Sequence, residues 1–194
     1  MDPVSTFYIT DRHYNLIIRQ GIANYPQESG GFVGGRSGVI LGVLPVFNQH
    51  LYNKTDTYGL GPEDTLRAHQ FFEKHRLTCF GVYHSHPKGL PEPSFQDLKS
   101  GNKFHFIVGL RDLKNPVLFC YEARGFQAQA IPLVVITEKD LPQYLPAQDV
   151  ARYHPNFESI DLSQKIEDIK NQTILYPKNP PTDPHNPDGF STFA

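Results

Sequence analysis

The chain has 194 residues, enough for one domain with a short appendage. Apolar residues make up 39% and charged residues 20% of it, as in ordinary globular proteins. The formal net charge of −2 gives no electrostatic basis for binding nucleic acid or an anionic membrane. No segment approaches the roughly 20 apolar residues that span a bilayer. A chain of this length can bury a core without a structural metal, so any metal is expected to serve chemistry.

The first part of the chain predicts two helices and a β-hairpin. Thr10 or Asp11 can cap a first helix, because apolar residues recur at helical spacing behind them. Residues 29–35 and 39–46 are predicted to be strands joined by a tight turn. Pro62 suits the first turn of a second helix. This alternation favours a mixed α and β domain.

Four later runs are predicted to be strands: Thr78–Ser85, Phe104–Leu110, Val117–Glu122 and Phe126–Ile136. Strands interleaved with helices indicate an α/β (α+β) domain over residues 1–137.

Residues 138–194 form a second region of different composition, which holds eight of the 17 prolines. One short amphipathic helix is predicted around Leu162, Ile166 and Ile169. The remainder of this C-terminal extension is predicted to be a Pro-rich and disordered tail.

The two cysteines, Cys79 and Cys120, lie in apolar stretches without metal-type spacing. They are predicted to be buried thiols, consistent with a reducing compartment. The N-terminus lacks the basic stretch and apolar core of a signal peptide, so a cytoplasmic location is expected.

The segment from His84 to Asp97 carries the chemistry. His84 and His86 are two apart on a predicted strand, so their side chains project from the same face. Ser94 is placed to cap a following helix, which puts Asp97 in its first turn. Two histidines and one carboxylate leave a tetrahedral zinc one open position for water, as catalytic zinc sites require.

Simpler interpretations remain open for each part of this segment. A His-x-His pair on a strand is equally compatible with no ligand, and Ser94 with Asp97 can serve only as a helix cap. The other histidines lack ligand spacing and are expected to have surface or structural roles: His13, His50, His69, His75, His105, His154 and His185.

The whole string, H-S-H-P-x6-S-x2-D, resembles the JAMM motif of the MPN-domain (Mov34/PAD-1) metallopeptidases at every fixed position. That motif also has an upstream glutamate beside a small-residue strand, and Glu28 stands there, before Ser29-Gly30-Gly31. The resemblance covers roughly Phe7 to Ile136 and is strongest to the small stand-alone prokaryotic members. Ser29 departs from the cysteine that is frequent there.

The resemblance implies a curved mixed β-sheet flanked by helices, one Zn²⁺ and hydrolysis of peptide or isopeptide bonds. By position, His84, His86 and Asp97 are the implied metal ligands. Glu28 is the implied general base, which takes a proton from the attacking water and passes it to the leaving amine. Ser94 is implied to stabilise the oxyanion or to position the water.

The implied substrate is the C-terminal Gly-Gly tail of a ubiquitin-like (β-grasp) protein, either deconjugated or trimmed. Only Leu98 to Lys103 separate Asp97 from the next strand, which predicts an open cleft rather than an elaborate linkage clamp. Nothing in the sequence specifies an oligomeric state.

Three rival interpretations follow from the same residues. A cupin-type site could use Glu92 after the histidine pair, but the spacing to His105 does not fit it. A catalytically inactive MPN scaffold would bind partners without chemistry, although such members lose ligands that are present here. A thiol peptidase would need Cys79 or Cys120 beside a suitable histidine.

Overall fold

The computed structural model describes residues 4–146. Within them the elements are, in chain order, β1 (Phe7–Thr10), α1 (Asp11–Asn24), β2 (Gly30–Arg36), β3 (Val39–Val46), α2 (Pro62–Lys74), β4 (Thr78–His86), α3 (Phe95–Lys99), β5 (Phe104–Gly109), β6 (Val117–Arg124), β7 (Gln127–Ile131), β8 (Leu133–Ile136) and α4 (Leu141–Tyr144). No helix in this part of the chain combines the length and apolar character needed to cross a membrane.

The strands form one eight-stranded sheet in the order β7-β6-β5-β4-β2-β3-β1-β8. It is mixed, because β2 pairs antiparallel with β3 and β4, whereas β4 pairs parallel with β5. A parallel pair needs a crossover connection, and the segment that contains α3 provides it. The predicted fold class, a curved mixed sheet with flanking helices, is confirmed.

Helices α1 and α2 cover opposite faces of this sheet. Thr10 caps α1, as predicted, by accepting a hydrogen bond from the backbone N–H of His13 at 3.2 Å. Gly21 of α1 lies close to Ser85 of β4. Phe72 of α2 instead packs in a cluster with Val82 of β4. Because side chains alternate along a strand, residues 82, 84 and 86 lie on the α2 side.

The prediction of one continuous strand over residues 126–136 is wrong. Pro132 divides it into β7 and β8, which lie at opposite edges of the sheet. Proline has no N–H to donate to a ladder, but its carbonyl accepts from Phe7 N at 2.8 Å. The sequence pattern also did not single out β1, the strand that this segment joins.

The predicted boundary at residue 137 remains a prediction, but apolar packing continues beyond it. Leu141 and Leu145 are buried in the cluster that contains Phe72 and Val82. The amphipathic helix predicted at residues 162–169 and the Pro-rich tail lie outside the described residues.

A pair of leucine substitutions tests where the folded domain ends. Leu141 is 3% exposed, so Leu141→Ala should destabilise the protein by about 2–5 kcal/mol through lost burial and an unfilled cavity. Leu66 on α2 is 60% exposed, and Leu66→Ala is the matched control with an expected change within about 0.5 kcal/mol. Equal denaturation midpoints for the two variants would place the end of the domain before Leu141.

Candidate metal centre

Strand β4 brings two imidazoles to one face and a hydroxyl to the other. The side chains of His84 and His86 lie on the α2 side, whereas Ser85 faces away from them. Ser85 Oγ accepts a hydrogen bond from Ser29 N at 2.9 Å, and Ser85 N donates to Ser29 O at 2.7 Å. These bonds extend the β2–β4 ladder beyond Gly30 and so hold the backbone of β4 between the two histidines against β2.

A contact network from α1 holds β2 and β4 together beneath the histidines. Buried Tyr83 donates its hydroxyl hydrogen bond to Gln20, and Gln20 Nε2 donates to Gly30 O at 3.1 Å. Gly30 also leaves space for a ring, since an added Cβ would lie 2.8 Å from Tyr58. The Tyr58 ring is nearly parallel to that of His84, at 6.2 Å between centroids. Glycine is therefore required here for close approach.

Helix α3 presents the carboxylate through its cap. Ser94 Oγ accepts from Asp97 N at 3.2 Å, and Ser94 N donates to Asp97 Oδ2 at 2.7 Å. The Ser94 hydroxyl also donates to Asp97 Oδ2, at 2.6 Å. The predicted capping box is present, and it aims the Asp97 side chain back over the start of the helix.

Potential ligand atoms of three side chains converge where a cation could bind. His84 Nε2 lies 2.9 Å from His86 Nε2 and 3.2 Å from Asp97 Oδ1, and His86 Nε2 lies 3.9 Å from Asp97 Oδ2. A tetrahedral zinc with bonds of about 2.0–2.2 Å sets its ligand atoms roughly 3.3–3.6 Å apart. The observed separations bracket that value, so the residues fit zinc with small adjustments.

The protonation states of His86 and Asp97 also suit the binding of a cation. His86 Nδ1 is 2.7 Å from Leu90 O and donates its hydrogen there, which leaves a lone pair on Nε2. Burial lowers the pKa of His86 and so favours its neutral, ligating form. Burial alone would raise the pKa of Asp97, but hydrogen bonds from His84 and Ser94 outweigh it and hold that pKa well below its usual range.

Glu28 lies beside this group, and its pKa is shifted upward, whereas that of Asp97 is shifted downward. The register pairs Gly30 with His84, and continuing it sets Glu28 across from His86 on the same face. Glu28 is 8% exposed, and burial, with the charges of Asp97 and Asp56, raises its pKa to about 7. A carboxyl with this pKa can both take and release a proton near neutral pH.

The loop before α2 holds Glu28 in place, which the sequence pattern did not indicate. Asn48 Nδ2 donates to Glu28 O at 3.1 Å and to Thr57 O at 2.8 Å. Asn48 Oδ1 accepts from Gly59 N at 3.1 Å, and Glu28 N donates to Lys54 O at 2.6 Å. One asparagine therefore ties this loop to the backbone of Glu28.

His105, which was expected to have a surface or structural role, lies next to the site. A ring nitrogen of His105 lies within 4.8 Å of the ligand atoms of His84 and Asp97, and these three form a possible metal-binding group. The cause is pairing that sequence spacing does not reveal: β5 runs parallel to β4, with His105 opposite Val82. His13, by contrast, bonds Thr10 Oγ1 at 2.8 Å and has a structural role, as expected.

The rival sites find no support in this geometry. Cys79 and Cys120 are free thiols, and burial raises the pKa of both, to about 11 for Cys79. Such thiols carry little thiolate at neutral pH, which argues against nucleophilic cysteine chemistry. Glu92 is exposed and is not a member of the group formed by the histidines and Asp97.

Comparison with known proteins identifies the class. Residues 10–122, more than half of the chain, match the family described as prokaryotic homologs of the JAB domain. The chain belongs to this family, and the resemblance to the small prokaryotic JAMM/MPN proteins is confirmed.

Individual relatives agree with this assignment. A desampylase from Pyrococcus furiosus is 28% identical over 99 residues, which cover 51% of this chain and 69% of the relative. The solution structure of a Desulfitobacterium hafniense protein superposes with a TM-score of 0.62 at 19% identity, covering 69% of this chain and 94% of that one. A Salinibacter ruber protein gives a TM-score of 0.50 at 24% identity, with the same coverage. These two structures support the fold.

The raised pKa of Glu28 predicts a pH-dependent stability difference in metal-free protein. Ionising Glu28 in the folded state costs stability as pH rises from the ordinary value of 4.5 through the folded value of about 7. Glu28→Gln is neutral at every pH, so it should raise the Tm relative to the wild type at pH 8 and have little effect at pH 4. Thermal melts with chelator present measure this.

The matched control is Glu73→Gln, which neutralises an exposed carboxyl on α2. Its effect on the Tm should not change between pH 4 and pH 8 in the way that the Glu28→Gln effect does. A Glu28→Gln effect that is the same at pH 4 and pH 8 would contradict the raised pKa of Glu28.

The capping box predicts that Ser94 sets the metal affinity through Asp97. Ser94→Ala removes the hydroxyl that donates to Asp97 Oδ2, so it should weaken zinc binding about 10–100-fold. It should also cost about 1 kcal/mol of stability as a lost cap. Thr10→Ala removes the cap of α1 and is the control, expected to lower the Tm and leave zinc affinity unchanged. Equal zinc affinities for Ser94→Ala and the wild type would mean that Ser94 is only a cap.

Proposed function

We propose that the protein is a zinc-dependent peptidase or isopeptidase that hydrolyses the bond after the C-terminal Gly-Gly of a ubiquitin-like protein. One observation carries this proposal: the ligand atoms of His84, His86 and Asp97 converge within 3.9 Å, beside a buried carboxyl whose pKa is raised to about 7. Perturbed carboxyls next to a three-ligand cluster are typical of catalytic rather than structural sites.

His84, His86 and Asp97 would hold the metal. When bound, zinc polarises the scissile carbonyl and makes hydroxide available near neutral pH. In the form that the structure favours, His86 is neutral and Asp97 is ionised. This donor set leaves one tetrahedral position for the reaction.

Glu28 would move the proton. Its anion accepts a proton from the attacking water, and the resulting acid donates that proton to the departing amine nitrogen as the C–N bond breaks. A carboxylate with the usual pKa is a weak base at neutral pH. Burial beside Asp97 raises the pKa of Glu28, so its anion takes the proton more readily and the resulting acid can still release it near neutral pH. The Asn48 network keeps its backbone in place during the transfer.

Ser94 has two roles that compete for one hydrogen. In this structure its hydroxyl donates to Asp97 Oδ2 and so orients a ligand. As a donor to the developing oxyanion it would have to rotate away from the carboxylate, after which Ser94 N still holds Asp97 at 2.7 Å. The backbone bond therefore allows the hydroxyl to serve the substrate without releasing the ligand.

The substrate class rests on similarity and on the shape of the site. Similarity to a desampylase supports a ubiquitin-like modifier as substrate. The link from α3 to β5 is only four residues long, from Ser100 to Lys103, so it adds no wall above the metal ligands. A Gly-Gly tail without side chains can pass close to such a centre.

A fusion substrate tests the proposal. A β-grasp protein joined through its Gly-Gly to a reporter should be cut at that junction by the zinc-loaded full chain, and a chelator should stop the cutting. Glu28→Gln should bind zinc with the wild-type stoichiometry yet lose about 10²–10⁴-fold in turnover, because only the base is missing. Glu73→Gln is the control variant and should cut the fusion normally. Asn48→Asp would not be a suitable control, because Asn48 holds the backbone of Glu28.

The results distinguish the alternatives. Replacing the terminal Gly with Val should slow cutting sharply, and equal rates would contradict the assigned tail. A wild-type protein that binds zinc and the β-grasp protein but cuts nothing would indicate an inactive scaffold. Loss of cutting after Cys79→Ser plus Cys120→Ser in a folded protein would restore the thiol mechanism.

A further inference from the structure

His105 occupies a position on the sheet that faces the metal ligands. It is paired in register with Val82, and its neighbour two residues on, Ile107, is paired with His84. Paired residues share a face, so His105 lies on the same side as His84, on the adjacent strand. Its side chain is 1% exposed. A ring nitrogen lies within 4.8 Å of the ligand atoms of both His84 and Asp97.

The tautomer of His105 leaves a lone pair available. His105 Nε2 is 3.1 Å from the Asn102 carbonyl oxygen and donates its hydrogen there. In a neutral imidazole the other nitrogen is then an acceptor. That atom, Nδ1, is buried and has no hydrogen-bond partner among residues 4–146. Buried nitrogens of this kind are nearly always paired in native proteins, to a polar group or an ion.

A bound cation would satisfy this arrangement. The His105 ring, which carries this lone pair, lies beside two further electron-pair donors, the Asp97 carboxylate and the His84 imidazole. Metal-ligating histidines usually donate their other ring N–H to a carbonyl or carboxylate, which fixes the ring and increases its basicity, and His105 makes such a hydrogen bond to Asn102 O. The orphan nitrogen and the carbonyl bond are independent observations that lead to the same conclusion.

We infer that His105 is a fourth metal-ligating position, which forms an inner set with His84 and Asp97 as an alternative to the outer set that contains His86. The inference rests on the zinc site proposed above. Four protein ligands at once would close a tetrahedral site, as in structural zinc centres. His86 and His105 therefore alternate: the outer set leaves a position open for the reaction, and the inner set retains the ion when His86 is absent or displaced.

The two alternating histidines differ in how firmly they are held. His86 ends β4, is partly exposed, and bonds the Leu90 carbonyl in the following loop. His105 lies inside the sheet on β5 and is almost fully buried. A ligand at the partly exposed end of a strand is the easier one to displace, whereas a buried ligand is a more permanent anchor.

Zinc affinity measured against a competing chelator on the full chain tests the inference. His86→Ala should weaken zinc binding about tenfold, and His86→Ala plus His105→Phe should weaken it by at least a further tenfold, to the level of His84→Ala. His86→Ala plus His13→Phe is the matched control, because it removes a different buried histidine and should match His86→Ala alone. If the variant with His105→Phe does not melt cooperatively, His105→Leu is used in its place.

Cobalt substitution supplies a second readout that requires no substrate. The visible absorption of the His86→Ala cobalt protein should show tetrahedral coordination, and this band should disappear in the double variant. If His86→Ala and the double variant bind zinc equally, the inner set does not exist, although the outer site and the proposed function stand. If the wild type binds no zinc, both proposals are wrong.

Discussion

The register of β4 against its two neighbours is the constraint on which the site depends. On one side β2 pairs Gly30 with His84, which sets Glu28 at the end of the ladder beside the histidines. On the other side β5 pairs His105 with Val82. A slip of one residue would turn every side chain of the strand to the opposite face. The hydrogen bond from Ser29 N to Ser85 Oγ and the Gln20–Tyr83 bond resist such a slip from the α1 side.

Hydrogen bonding gives the two carboxyls of the site different pKa values. Asp97 receives hydrogen bonds from Ser94 and His84, and these overcome its desolvation so that it stays ionised. Within residues 4–146 no hydrogen-bond donor lowers the pKa of Glu28 in this way, and burial together with the charge of Asp97 raises it to about 7. Two carboxyls with pKa values shifted in opposite directions suit different tasks, one as a ligand and the other as a proton carrier. The division arises from hydrogen bonding, since both groups are partly desolvated.

Local features of the sequence were sufficient for part of this site. His84 and His86 are related by the two-residue repeat of a strand, and Ser94 with Asp97 by the capping box, so short-range spacing predicts each pair. His105 and Asn48 could not be found in this way, because their contacts follow from a parallel strand pairing and from a loop without periodicity. The split at Pro132 is a similar case: the proline was visible, but the crossing to the far edge of the sheet is a tertiary outcome. The packing of Leu141 likewise depends on a surface built by α2 and β4.

The short link between α3 and β5 bears on two parts of the proposed function, substrate access and metal binding. In the proposed function a substrate tail passes close to Asp97, and the link that follows α3 is only four residues long. The same link carries the Asn102 carbonyl that fixes the His105 tautomer, and Ser100 Oγ accepts from Asn102 Nδ2 at 3.0 Å to hold it. In the proposed function, a longer link would contact more of a substrate, whereas this short link holds the carbonyl that leaves His105 Nδ1 as an acceptor. The two proposals, an accessible metal and a second histidine ligand, therefore depend on the same four residues.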